Sequence, residues 1–170
     1  MCRVFDTLGG LLYRQGMSPT SIASYDLHEV LHSGKEFTVY RAVHAVIKQQ
    51  VVAAKVLHRA DADQAASRQT LGEQAATLAQ LTHPGTVTFI DFINEGPTCA
   101  LVTSLAPGRP LSEVVEFSTT PLSSARIEHI FHQLLDVLAY AHNRGIVHGR
   151  ICIDDLYLDS VDRLTVLGFA

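Results

Sequence analysis

The chain has 170 residues, 47% hydrophobic and 18% charged, with a formal net charge of -4 at pH 7, so it is long enough to bury one substantial core. Its thirteen Lys and Arg form no run, which argues against a surface built for nucleic acid or anionic lipid. Cys2, Cys99 and Cys152 are odd in number and far apart; they supply neither a CxxC metal pair nor a disulfide framework, and a cytoplasmic setting is expected.

Asp6 interrupts the apolar residues at the start, and no run reaches signal-peptide or membrane-span length. Residues 1–24 read as a poorly ordered leader that includes the turn-forming Met17-Ser18-Pro19-Thr20. From Tyr25 two β-rich runs flank Ser33-Gly34-Lys35, and a third covers residues 51–57. Residues 61–82 are rich in Ala, Gln and Leu, with Leu71, Ala75, Leu78 and either Leu81 or Thr82 on one helical face, and His83-Pro84-Gly85 stops that helix. Two more strands, 86–92 and 99–104, are joined by the turn residues Asn94-Glu95-Gly96-Pro97.

A composition shift near residue 107 marks a lobe boundary. After Pro107-Gly108-Arg109-Pro110 come a short helical run, 111–117, and a long amphipathic helix, about 123–144. Ile127, Ile130, Phe131, Leu134, Leu135, Leu138 and Tyr140 are expected to point inward from it, and Gly145 ends it. The expected architecture is α+β: a five-stranded antiparallel lobe with one main helix over 25–106, then the start of a helical lobe over 107–170.

Four segments in this order carry a resemblance: Val52-Ala53-Ala54-Lys55, Leu81-Thr82-His83-Pro84, Leu101-Val102-Thr103-Ser104-Leu105, and Ala141 to His148, reading A-H-x-x-G-I-V-H. Over residues 25–170 the chain resembles the eukaryotic-type serine/threonine protein kinases, bacterial members included. The resemblance implies a protein-kinase-like fold with ATP and magnesium between a β-rich and a helical lobe. Lys55 would reach the α- and β-phosphates as a point charge. Val39 and Ala53 would roof the adenine, Tyr157 would floor it in place of a smaller Leu, and Thr103 would be the gatekeeper. Ser104 to Ala106 would offer hinge backbone groups. Read without the family, Lys55 is a solubilising lysine on an edge strand.

The family's phosphate loop, G-x-G-x-x-G-x-V, falls on His32, Gly34, Phe37 and Val39, so one glycine of three is kept where backbone must approach phosphate closely. The helix glutamate that pairs with the strand lysine falls on Gln74, with Glu73 one residue earlier; one residue is about 100° around a helix. Both remain candidates, the alternative being a solvated helix face.

Following Ile146-Val147, the catalytic pattern H-R-D-L-K-P-E-N falls on His148-Gly149-Arg150-Ile151-Cys152-Ile153-Asp154-Asp155. His148 is kept, but Arg150 takes the catalytic aspartate's place, and a guanidinium stays protonated and accepts no proton. Cys152 replaces the lysine and Asp155 the metal-binding asparagine. Where the family has D-F-G the chain reads Gly168-Phe169-Ala170, without the second metal carboxylate. Asp155, with Asp154 beside it, is the candidate metal ligand. The apolar column tying the two lobes would be Leu78, Phe89, His148 and Phe169. His129 and His132, three apart on the long helix, have no third ligand to join them and read as solvated or core-edge residues.

These substitutions imply a pseudokinase acting by protein or nucleotide binding. Alternatives are a divergent ATP-dependent serine/threonine kinase working through Lys55 and Asp155, and an inactive gene fragment, since the sequence given ends at the D-F-G position. An uncovered apolar face on the long helix would call for a protein partner or the missing segment of the helical lobe. No nucleic acid and no membrane is expected as a partner.

Overall fold

The computed structural model describes residues 21–58 and 65–169. Strands β1 (Ser21–Ile22), β2 (Tyr25–Ser33), β3 (Phe37–His44), β4 (Val51–Leu57), β5 (Phe89–Glu95) and β6 (Thr98–Ser104) form one antiparallel sheet in the order β1-β2-β3-β4-β6-β5. Alternation along β4 shows why it is a strand: Val52, Ala54 and Val56 are buried on one face, while Ala53 and Lys55 are half-buried on the other. The first set packs with Tyr25, Tyr40, Ile93 and Val102. Helix α1 (Ala65–Leu78) buries Leu71, Ala75 and Leu78 against the sheet's other face.

Downstream lie β7 (Arg109–Pro110), α2 (Leu111–Glu116), the long α3 (Ser124–His142), β8 (Leu156–Leu158) and β9 (Leu164–Val166), with a small sheet ordered β7-β8-β9. Ser123 caps α3 by accepting the Arg126 N–H at 3.3 Å. The Arg126 guanidinium then grips Asp162 with two bonds, 2.9 and 2.7 Å. Gln133 donates to the Asp162 carbonyl at 2.8 Å and accepts from the Leu164 N–H at 2.9 Å. The β8–β9 turn is thereby pinned to α3.

The turn after α1 docks the two lobes. The Val166 N–H donates to the Gly85 carbonyl at 2.8 Å, the Thr82 N–H to the Tyr140 hydroxyl at 3.0 Å, and His83 Nε2 lies 3.2 Å from Asp136. A shared core of Leu78, Leu81, Val137, Ala141, Val166 and Phe169, among others, spans this joint and fixes the cleft above it.

Several boundaries differ from expectation. The sheet has six strands: β1 begins at Ser21, inside the expected leader, because Ile22 is buried beside Tyr25. Residues 1–20 lie outside the described residues, as do 61–64 of the expected helix. That helix ends at Leu78, and Leu81 reaches the core from the turn that follows. The strand expected at 86–92 runs from 89 to 95; the Thr86 N–H closes a turn on the His83 carbonyl at 3.0 Å, and Thr86 bridges to Val166.

On α3 the inward face is corrected. Ile130, Val137 and Ala141 are buried and Leu134, Leu138 and Tyr140 half-buried, but Ile127, Phe131 and Leu135 are exposed, Phe131 by 58%. At about 100° per residue the helix's apolar arc is roughly 160° wide, and packing in this chain covers only its 130/137/141 side. Among the described residues no helix is long and apolar enough to cross a membrane.

Candidate functional site

The cleft is built first by sheet register. Val39 pairs with Lys55, Ala53 with Thr103, and Lys55 with Leu101, so Val39, Lys55, Ala53 and Thr103 share one face. Lys55 sits on a central strand between β3 and β6, which removes the edge-strand reading of that lysine.

Lys55 Nζ donates to Gln74 Oε1 at 2.8 Å. Of the two helix candidates the structure brings Gln74 to the lysine; Glu73 is exposed and accepts from Gln69 Nε2 one turn back, at 2.9 Å. The contact joins an ammonium to a neutral amide, so its hydrogen-bond partner carries no offsetting charge. Burial lowers the Lys55 pKa from its ordinary value, against the smaller raising field of Glu36.

Phe37 completes this end of the cleft. The Gly34 N–H donates to the Phe37 carbonyl at 2.8 Å, and a Cβ on Gly34 would lie 3.3 Å from that oxygen and 3.4 Å from the Phe37 ring. Absence of a side chain at 34 lets the turn close onto the ring. The ring centroid in turn sits 4.2 Å from Lys55 Nζ, a cation–π contact. Between this hairpin and α1 lies a cavity of about 280 Å³ lined by Lys55, Gln74, Ser67 and Thr70 among others. Sequence reasoning noted Phe37 only as a side chain where glycine is needed; its seat over Lys55 follows from register, which spacing alone does not reveal.

At the opposite wall, His148 is 6% exposed and its Nε2 is 2.6 Å from the Leu167 carbonyl. Because a carbonyl only accepts, Nε2 carries the hydrogen, and the buried Nδ1 has no hydrogen-bond partner among the described residues. The His148 ring meets Phe169 edge-on at 4.7 Å. Phe169 and Leu78 lie in the shared core with Phe89 packed against it, and His148 joins that core through Phe169. Tyr157 is half-buried on β8; burial, then the fields of Glu113, Asp155 and Asp154, push its phenol up.

The acidic pair is held by a thiol. Cys152 Sγ donates to Asp155 Oδ2 at 3.0 Å and lies 4.0 Å from Asp154 Oδ2. Burial first, then the hydrogen bond to Asp155, pushes the Cys152 thiol up, keeping it a donor. The Leu167 N–H donates to the Asp155 carbonyl at 2.8 Å, which places Gly168 opposite the carboxylate: a Cβ on Gly168 would stand 3.4 Å from Asp155 Oδ1 and from His148 Cε1. No side chain fills that point. Arg150 is solvent-exposed, following Gly149 at φ +77°.

Magnesium wants near-octahedral oxygen ligands. Here the donors are Asp155, with an oxygen already engaged by a thiol, a soft neighbour, and Asp154, whose Oδ2 lies 4.0 Å from the same sulfur, with a bare glycine opposite. Among the described residues no three of His, Cys, Asp and Glu gather as a metal set. The side chains present, Asp155 and Asp154 included, do not fit magnesium.

A family model for the protein kinase domain matches residues 25–164. The chain is 33% identical over 140 residues to calcium/calmodulin-dependent protein kinase type II of Caenorhabditis elegans, covering 81% of this chain and 19% of that protein. It is 26% identical over 148 residues to CBL-interacting serine/threonine-protein kinase 21 of Arabidopsis thaliana, covering 87% of this chain and 35% of that one. To serine/threonine-protein kinase pkn2 of Myxococcus xanthus it is 29% identical over 112 residues, 66% of this chain and 13% of that protein. The chain thus spans about a third or less of the length of these relatives. The solved apo structure of PpkA-294 aligns with a TM-score of 0.77 at 19% identity, over 86% of this chain and 58% of that one. That likeness carries the fold: the protein-kinase-like arrangement expected from the sequence is the one observed.

Proposed function

The chain belongs to the protein kinase domain family, and from that premise we propose that it is a pseudokinase domain, binding nucleotide in the cleft and acting through a protein partner rather than by phosphoryl transfer. The observation that carries this reading is Gly168 facing the Asp155 carboxylate with no side chain of its own. Arg150 adds to it, because a guanidinium at the place of the base accepts no proton from a substrate hydroxyl. Loss of a positioned base alone costs about 10²- to 10⁴-fold in rate; combined with an incomplete metal set it leaves no step for this cleft to accelerate.

Nucleotide binding rests on the parts that remain. Lys55 is held by Gln74 on the face shared with Val39, Ala53 and Thr103, and half-buried Ser104 to Ala106 follow as backbone for an adenine edge. The uncovered side of α3, with Ile127, Phe131 and Leu135 exposed, supports a protein partner.

The test is transfer of radiolabelled γ-phosphate from ATP to a generic basic protein, beside a melting curve with and without ATP. The expected result is no transfer above a Lys55→Ala control and a rise in melting temperature with ATP that this substitution removes. Transfer that depended on both Lys55 and Asp155 would establish an active serine/threonine kinase instead.

A further inference from the structure

We propose that this cleft binds the phosphates of its nucleotide without a divalent metal, Lys55 supplying the cation. The proposal rests on the nucleotide-binding reading above and goes beyond it, from whether nucleotide binds to what neutralises it.

Two features of the geometry point the same way. On the helix side, Lys55 is paired with an amide oxygen at 2.8 Å. An ammonium tied to a carboxylate presents a cancelled charge to a ligand, whereas one held by Gln74 presents a full one. On the other wall, the point beside Gly168 from which a second carboxylate would reach a metal is empty of side chain, and the first, Asp155, shares Oδ2 with the Cys152 thiol at 3.0 Å. A metal bridging carboxylate and phosphate relieves the repulsion between them. With one carboxylate gone, a metal has only half of the usual carboxylate pair to bridge to phosphate, and the Asp155 oxygen it would take is already hydrogen-bonded by a thiol.

Among the described residues, acidic groups around the cleft oppose the proposal. Asp154 and Asp155 are half-buried in the loop, and Glu36 is exposed on the hairpin near Lys55. Asp155 therefore serves as the discriminating residue. As a metal ligand its loss weakens nucleotide binding; as a bystander facing naked phosphate its loss removes repulsion and strengthens it.

The experiment is calorimetric titration of the full chain with ATP, once in magnesium and once in EDTA, for the native protein, Asp155→Asn and Lys55→Met, the methionine keeping an apolar stem under Phe37. Expected are affinities within about twofold of each other with and without magnesium, a severalfold gain in EDTA for Asp155→Asn, and loss of binding for Lys55→Met. Magnesium improving affinity by about tenfold or more, with Asp155→Asn abolishing that gain, would overturn the proposal and leave the nucleotide-binding reading in place. No binding under either condition would overturn that reading and the proposal with it. Should Lys55→Met melt without a cooperative transition, the response of Asp155→Asn decides by itself.

Discussion

Lys55 and Gln74 meet through a 2.8 Å hydrogen bond that carries charge on one side only. Because burial lowers the Lys55 pKa, the unfolded chain holds that proton more tightly than the folded one. Between the folded value and the ordinary 10.5, stability rises with pH; below the folded value the full penalty of a buried ammonium applies. The slope from this one group reaches at most about 1.4 kcal/mol per pH unit. Gln74→Glu supplies the missing carboxylate and should shrink this rise, adding on the order of 1 kcal/mol at pH 7. Denaturant unfolding at stepped pH, read as the difference between the native chain and the variant, checks both statements. A variant with the native pH slope would show that the lysine does not feel residue 74.

The thiol of Cys152 should be slow to react. Its pKa is raised by burial and by the hydrogen bond to Asp155, and the thiolate, not the thiol, is the nucleophile. Alkylation by iodoacetamide near pH 8, followed at the Cys152 peptide by mass spectrometry, is expected to lag behind a free cysteine. Asp155→Asn removes the adjacent negative charge and should speed it severalfold. Equal rates in the two proteins would mean that the 3.0 Å contact contributes nothing to holding the proton.

What the sequence showed of this cleft was its backbone order. Lys55 was legible from a strand motif, and the choice between Glu73 and Gln74 narrowed to one helical step, because spacing along a regular element translates directly into position. Arg150 and Gly168 were legible as chemical exclusions, which need only residue type. Less legible was anything set by packing across elements. Phe37 over Lys55 depends on the β3–β4 register, and the thiol on Asp155 depends on a turn closed by the Asp155 N–H on the Cys152 carbonyl at 3.1 Å. The start of the sheet at Ser21 escaped notice because a two-residue strand has no period to detect.

Helix α3 offers a contrast between two neighbours. Ile130 is 4% exposed and Phe131 58%, although hydropathy ranks them alike. Ile130→Ala should cost about 2–5 kcal/mol through lost burial and the cavity left behind. Phe131→Ser should stay within about 0.5 kcal/mol, as surface changes do, and should weaken any association made through the Ile127, Phe131 and Leu135 face. Chemical denaturation measures the first pair of values and sedimentation the last. A large loss for Phe131→Ser in the isolated chain would place that face inside a core.

Gly168 sits at φ +84°, a conformation that costs a residue with a Cβ about 1–2 kcal/mol. Gly168→Ala should therefore destabilise by roughly that amount, although its Cβ meets Asp155 and His148 no closer than 3.4 Å: the loss comes from backbone, not collision. Gly168→Asp tests the chemistry separately. Aspartate tolerates the left-handed region better than alanine, but its carboxylate arrives beside that of Asp155, and two like charges so close destabilise the fold. Magnesium bridging the pair would return that stability, so the Gly168→Asp melting temperature should rise with added magnesium while that of the native chain stays flat. The same rise in the native chain would mean that Asp155 gathers a metal without help from position 168.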